Sequence, residues 1–102
     1  MAVREISVDD LAAALDNGGR LIDVRNPDEY AAGHIPGARS IPLPELAARL
    51  DELPTGCPVY LVCQSGNRSA AAVELLATTG IEAVSVAGGT SRWAAAGHPT
   101  TE

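Results

Sequence analysis

The chain is organised around the stretch Val59-Tyr60-Leu61-Val62-Cys63-Gln64-Ser65-Gly66-Asn67-Arg68-Ser69. It begins as an apolar, β-branched run that ends in a cysteine, passes through small and polar residues, and enters Ala-rich sequence with helical character. This order predicts a strand, a tight loop and a helix. Loops at the carboxyl ends of strands in open α/β sheets are where ligands bind. Residues 63–69, called the Cys63 loop below, are therefore the candidate site.

The position of Cys63 favours a reactive thiolate. At a strand end it would face the backbone N–H groups of the turn and the positive end of the next helix dipole, and both favour the charged form. Gly66 permits backbone angles that other residues resist. The alternative is a buried structural cysteine, since free cysteines are often buried, and this stretch alone leaves both interpretations open.

Strand-like and helix-like segments alternate along the rest of the chain. The predicted strands are residues 3–6, 20–24, 59–63 and 83–86, with Ile41 in a short edge strand. Predicted helices follow the caps Ser7 and Asn26 and begin at Pro44, and two more cover residues 68–79 and 91–96. The helix over 68–79 should bury Val73, Leu76 and Ala77. The pattern predicts one α/β domain, residues 1–102, with a small, largely parallel central sheet of about five strands and helices on both faces.

Composition narrows the range of functions. Hydrophobic residues make up 46% of the chain, which is typical of a globular protein. A net charge of −6 without a basic run argues against nucleic acid as a partner, and no apolar span reaches membrane length. Cys57 and Cys63 are too few for a four-cysteine zinc site, and about 20 Å of strand between them is too long for a disulfide. We therefore expect no membrane association, no metal and a reducing, cytoplasmic setting.

Four segments, in order along the chain, carry a family resemblance. They are Leu21-Ile22-Asp23-Val24-Arg25 with Glu29-Tyr30, then Gly33-His34-Ile35-Pro36-Gly37-Ala38 with Ile41-Pro42, then the Cys63 loop, and last Gly88-Gly89 with Trp93, Gly97 and Pro99. In these segments the chain resembles the single-domain rhodaneses, thiosulfate sulfurtransferases of the rhodanese-homology superfamily. The resemblance spans nearly the whole chain and implies a rhodanese-like fold.

The resemblance also implies a chemistry. Cys63 would be the catalytic nucleophile, taking a sulfane sulfur from a small anionic or persulfide donor and passing it, as a persulfide, to a thiol or cyanide acceptor. This is covalent catalysis with ping-pong kinetics, and it needs no cofactor. The loop from Cys63 to Arg68 has six residues, whereas related dual-specificity phosphatases, and arsenate reductases similar to them, have seven. The shorter loop favours a sulfur-sized group over a tetrahedral oxyanion, by family analogy.

The expected substrate-binding residues surround this cysteine. They are Gln64, Ser65, Gly66, Asn67, Arg68, Ser69 and Arg25, with Asp23 in a supporting role. Arg68 suits an anionic donor, although it could instead brace the loop. For Arg25, the resemblance implies a place near the loop, and a surface position or a pairing with Asp23 remains equally open.

One departure from the family pattern concerns charge. Rhodaneses with strong thiosulfate activity often carry additional basic residues in the loop, whereas Arg68 is the only charged residue between positions 63 and 69 here. Thiosulfate is therefore expected to be a poor donor. The alternative function is a sulfur-relay or persulfide-carrier module that acts between partner proteins with little free turnover.

Overall fold

The computed structural model describes residues 3–102, and within them helices and strands alternate along the chain. The strands are β1 (Glu5–Ile6), β2 (Arg20–Asp23), β3 (Arg39–Ser40), β4 (Pro58–Val62) and β5 (Glu82–Val86). The α-helices are α1 (Val8–Asp16), α2 (Pro27–Ala32), α3 (Leu43–Leu46), α4 (Asn67–Leu76) and α5 (Gly89–Ala95), and a 3₁₀ segment, Ala47–Glu52, follows α3.

The five strands form one sheet in the order β1-β5-β4-β2-β3, and every pairing is parallel. The predicted small parallel sheet of about five strands is therefore confirmed. The short strands β1 and β3 lie at the two edges, whereas β4 pairs on both sides. Because all strands point the same way, their carboxyl ends meet along one edge of the sheet, and the Cys63 loop begins at the centre of that edge.

Helices cover both faces of the sheet, as predicted. Alternate residues of β4 face opposite sides, so that Val59 and Leu61 lie in one buried cluster and Val62 lies in the other. The first cluster also holds side chains from α3 and α4: Leu46, Ala72 and Leu76. The second holds side chains from α1 and α5: Val8, Leu11 and Trp93. This two-sided packing is what the nearly continuous apolar run before Cys63 requires.

Local sequence signals set several element ends. Ser7 Oγ accepts a hydrogen bond from the Asp10 N–H at 3.0 Å, which confirms the predicted cap of α1. Two expectations were wrong in detail. Ile41 lies just past the edge strand, with its N–H donated to the Asp23 carbonyl at 3.0 Å. Ala77 is exposed, and Ala72 takes the buried position in α4, because an Ala-rich helix fits more than one register of the apolar stripe.

Strand register places the site residues side by side. Asp23 at the end of β2 is aligned with Val62 at the end of β4, and the Val24 N–H donates to the Val62 carbonyl at 2.9 Å. Arg25 therefore emerges beside Cys63, although it lies 38 positions earlier in the sequence. On the other side, Leu61 is aligned with Ser85. The Cys63 loop is flanked by the ends of both neighbouring strands.

Candidate functional site

The Cys63 loop turns the chain from β4 into α4 through one glycine. Gly66 has φ of 110° and ψ of −14°, in the left-handed region that favours glycine. Helix α4 begins immediately afterwards at Asn67, and the Ala70 N–H donates to the Gly66 carbonyl at 3.0 Å. The turn thus brings the first N–H groups of the helix back toward Cys63.

The sulfur of Cys63 lies within this ring of donors. The Gly66 N–H donates to Sγ at 3.0 Å and the Ser69 N–H does so at 3.4 Å. Ser69 Oγ lies 3.6 Å from the same sulfur. Cys63 is only 1% exposed, so these contacts act in a poorly solvated setting where they are strong.

A second buried hydroxyl supports the first. Ser69 Oγ and Ser85 Oγ are 2.7 Å apart, and both residues are fully buried. Ser69 Oγ can also donate to the Gly66 carbonyl at 3.1 Å. When the sulfur is a thiolate, Ser69 can turn its proton to Sγ while Ser85 donates to the Ser69 oxygen. The Ser85 side chain, contributed by β5, was not singled out as a site residue from the sequence.

The net electrostatic effect favours the thiolate. Burial raises the pKa of Cys63, but the Ser69 and Gly66 N–H groups and the Ser69 hydroxyl, with the backbone of Ser65, together lower that pKa below the usual value of a thiol. A thiolate is the nucleophilic form of cysteine. These contacts favour the predicted part of Cys63 as a nucleophile over that of an inert core residue.

Arg25 braces the loop. Its guanidinium donates to both carboxylate oxygens of Asp23, with Nη2 to Oδ2 at 2.8 Å, and both side chains are buried. Nη1 donates to Gln64 Oε1 at 3.1 Å, and Nη2 also donates to the Gly33 carbonyl at 2.8 Å. Of the placements left open from the sequence, the structure shows two at once, beside the loop and paired with Asp23.

Arg68 is held by a residue distant in the sequence. Its Nη1 and Nη2 donate to the two carboxylate oxygens of Glu29 at 2.7 and 3.0 Å. Glu29 lies in the first turn of α2, where its Oε1 also accepts the Asn26 N–H at 3.2 Å. The Arg68 hydrogen bond lowers the pKa of Glu29 from 4.5 to about 2, although burial opposes the change. The contact of Arg68 with a donor stays a prediction.

A second loop, Ala87-Gly88-Gly89-Thr90 where β5 leads into α5, packs against the Cys63 loop and binds its backbone. The Thr90 N–H donates to the Cys63 carbonyl at 2.8 Å, and the Ser91 N–H donates to the Gln64 carbonyl at 3.0 Å. A Cβ on Gly89 would overlap the Cys63 carbonyl and lie 2.7 Å from the Gln64 carbonyl. Glycine is thus required by close backbone approach. The glycine pair predicts a turn at residues 88–89, but nothing in the sequence predicts that this loop binds the backbone of the Cys63 loop.

The comparisons with known proteins agree with this geometry. Residues 7–96 match the family model described as a rhodanese-like domain. The chain belongs to the rhodanese-like family. A rhodanese-related protein from Thermoplasma volcanium has a solved structure that is 36% identical, with a TM-score of 0.90 over 96% of this chain and 97% of that one. The recognised family and fold are both confirmed.

Two curated relatives indicate the chemistry of this rhodanese-like domain. The "Thiosulfate sulfurtransferase GlpE" of Pseudoalteromonas translucida is 36% identical over 98 residues, covering 94% of this chain and 93% of that protein. The "Putative sulfur carrier protein YrkF" of Bacillus subtilis is 35% identical over 85 residues, covering 81% of this chain. The chain spans 46% of YrkF and 60% of another Bacillus subtilis relative. Together these matches support a sulfur-transfer role.

Other side chains of the rhodanese-like domain lie apart from this chemistry. Cys57 precedes β4 at the opposite end of the strand from Cys63, and both thiols are free. His34 stacks on Tyr30 with ring centroids 3.7 Å apart, which fits a structural part. Within residues 3–102, no three His, Cys, Asp or Glu side chains are grouped to hold a metal ion, and no helix is long and apolar enough to cross a membrane.

Proposed function

We propose that this protein moves a sulfane sulfur from a donor to a thiophilic acceptor through a persulfide on Cys63. The observation that carries the proposal is the pair of N–H groups, from Gly66 and Ser69, aimed at the buried Cys63 sulfur. They favour the thiolate before transfer and are positioned to stabilise charge on sulfur during it. We assign the substrate-binding part to Gln64–Ser69 and a supporting part to Asp23. Arg25 was expected from the sequence to bind substrate, but it is buried and bound to Asp23, so we assign it a supporting part as well.

The first half-reaction loads the cysteine. The Cys63 thiolate attacks the outer sulfur of thiosulfate, a new S–S bond forms, and the original S–S bond breaks with its electron pair leaving on sulfite. An organic persulfide reacts in the same way, with its thiolate as the leaving group. No electron donor or acceptor is consumed, because one sulfur–sulfur bond replaces another.

The second half-reaction regenerates the free Cys63 thiolate. Cyanide, or a thiolate, attacks the outer sulfur of the Cys63 persulfide, and the electron pair of the broken S–S bond restores the thiolate. Thiocyanate or a new persulfide is released. The two separate half-reactions require ping-pong kinetics.

A sulfur-carrier module is the second candidate function. It is favoured by the pairing of Arg68 with Glu29, which leaves the loop without an unpaired cation to attract a free anionic donor. A relative of this chain also carries a sulfur-carrier name. In this case a partner protein would load Cys63 and another would unload it, with little turnover of small donors. Either function suits a reducing cytoplasmic setting, where the thiol stays free.

A thiocyanate-formation assay with several donors tests the proposal. The wild-type protein should convert cyanide to thiocyanate with thiosulfate or an organic persulfide, and Cys63→Ser should not. Loading of Cys63 without appreciable turnover would favour the carrier. Failure of every donor to load the cysteine would overturn sulfur transfer altogether.

A further inference from the structure

Arg68, the cation of the Cys63 loop, is already paired with the carboxylate of Glu29. Arg68 and Glu29 form a two-point contact with distances of 2.7 and 3.0 Å, and their side chains are 37% and 31% exposed. Partial exposure places this ion pair at the protein surface. Two parallel N–H···O bonds have the same geometry that Arg would use for an oxyanion, so the carboxylate of Glu29 fills the position that an anionic donor needs.

The pairing of Arg68 with Glu29 lies close to the reaction centre in the chain. The pKa of Arg68 is raised first by the hydrogen bond to Glu29, against the effect of burial, and also by the charge of the Cys63 thiolate. Arg68 directly precedes Ser69, whose N–H donates to the Cys63 sulfur at 3.4 Å, so the Arg68 charge is carried by the same first turn of α4. Because Glu29 contacts the Arg68 guanidinium, its charge acts on any anion that approaches Arg68.

The other arginine beside the loop cannot replace Arg68. Arg25 is 3% exposed, and its guanidinium is divided between Asp23, the Gln64 side chain and the Gly33 carbonyl. Its charge is matched by a fully buried carboxylate. Arg25 and Arg68 are thus each paired with an acid.

We propose that Glu29 determines donor specificity by occupying Arg68, so that the site disfavours free dianions such as thiosulfate and favours organic persulfides. This inference rests on the proposed sulfur transfer and names its donor class. A dianion must either displace Glu29 or approach while the carboxylate remains, and repulsion acts on its two charges. An organic persulfide brings at most one charge at the sulfur, so Glu29 repels it less than it repels thiosulfate.

The substitution Glu29→Gln removes the negative charge of this side chain and keeps its size. Glutamine keeps an oxygen that can accept the Asn26 N–H, so the start of α2 is preserved. The control is Asp28→Asn, which changes the net charge equally at the neighbouring exposed position. Glu29→Asp serves as a second variant that keeps the charge and therefore the wild-type preference.

The first measurement does not depend on sulfur transfer. In a Cys57→Ser background, Cys63 is alkylated with anionic iodoacetate and with neutral iodoacetamide, and the ratio of the two rates cancels changes in thiolate fraction. Glu29→Gln should raise the iodoacetate-to-iodoacetamide ratio about tenfold, and Asp28→Asn less than about twofold, because Coulomb energy falls with distance and solvent screening. The rise should vanish when Arg68→Gln is added. Equal ratios in the Glu29→Gln and Asp28→Asn variants would overturn the proposal.

The second measurement uses sulfur donors. For Glu29→Gln, kcat/KM should rise about tenfold with thiosulfate and change less than about twofold with N-acetylcysteamine persulfide, whose organic part is uncharged. An equal change with both donors would contradict a specificity role. If neither donor loads the wild-type protein, the proposed function fails, while the alkylation ratio still decides whether Glu29 selects against anions.

Discussion

Replacing Gly66 by alanine would separate the chemistry of the Cys63 loop from the stability of the fold. A Cβ at this position would lie 3.5 Å from the Gly88 nitrogen and 3.8 Å from the Val86 carbonyl oxygen, which are ordinary contacts. Space is therefore available, and the cost comes from φ of 110°. A side chain in the left-handed region costs about 1–2 kcal/mol.

The chain can relieve that strain only by turning the peptide before Gly66, which moves its N–H away from the Cys63 sulfur, 3.0 Å distant in the wild type. A hydrogen bond to a charged group is worth about 1.5–3 kcal/mol. At about 1.4 kcal/mol for each factor of ten, its loss should slow sulfur transfer by about 10- to 100-fold.

Gly56→Ala is the matched control. Gly56 also has a positive φ, 80°, with nothing within 4 Å of a Cβ, and it precedes β4 at the end opposite Cys63. Both variants should lose similar stability, lowering Tm by roughly 4–8 °C for each kcal/mol. Thermal unfolding and thiocyanate formation are measured for both proteins. An unchanged rate in Gly66→Ala, or an equal loss of rate in the two variants, would refute the assigned part of this N–H group.

Three further predictions concern the surroundings of the loop. Cys57→Ser should keep most of the transfer rate, because Cys57 lies at the other end of β4; its inactivity in the thiocyanate assay would show that the nucleophile is misassigned. Ser85→Ala should raise the pKa of Cys63 and move the pH–rate profile of its alkylation to higher pH, because the Ser69 hydroxyl loses its partner at 2.7 Å. An unmoved profile would exclude that support. The pKa of Glu29 is about 2 when folded and 4.5 ordinarily, so its ion pair contributes stability above pH 4.5 that is lost as the pH falls toward 2. Urea unfolding should therefore show the wild type and Glu29→Gln converging across that interval, and a constant difference would contradict the ion pair.

The local features were predictable because their signals are local. A β-branched run, a cysteine, a glycine and an Ala-rich segment occupy consecutive positions 59–77, so the strand, turn and helix follow from neighbouring residues. The cap at Ser7 depends on Asp10, three positions later. The order of the strands was not predicted, because many parallel arrangements satisfy the same alternation of elements.

The partners of the site residues were harder to predict because they come from distant segments. Arg68 is a cation in a loop, and nothing near it in the sequence shows that Glu29, 39 positions earlier, will take its guanidinium. The hydrogen bond from the Thr90 N–H to the Cys63 carbonyl likewise depends on how β5 pairs with β4. Such contacts are set by tertiary packing rather than by spacing.

The most direct test of persulfide transfer through Cys63 is the site of sulfur loading. The protein is incubated with thiosulfate or an organic persulfide, its intact mass is measured, and peptides are mapped with and without cyanide. We expect a gain of one sulfur atom, on Cys63 and not on Cys57, which cyanide removes to restore the starting mass. A sulfur distributed over both cysteines, or one that cyanide cannot remove, would contradict a persulfide held by the Cys63 loop.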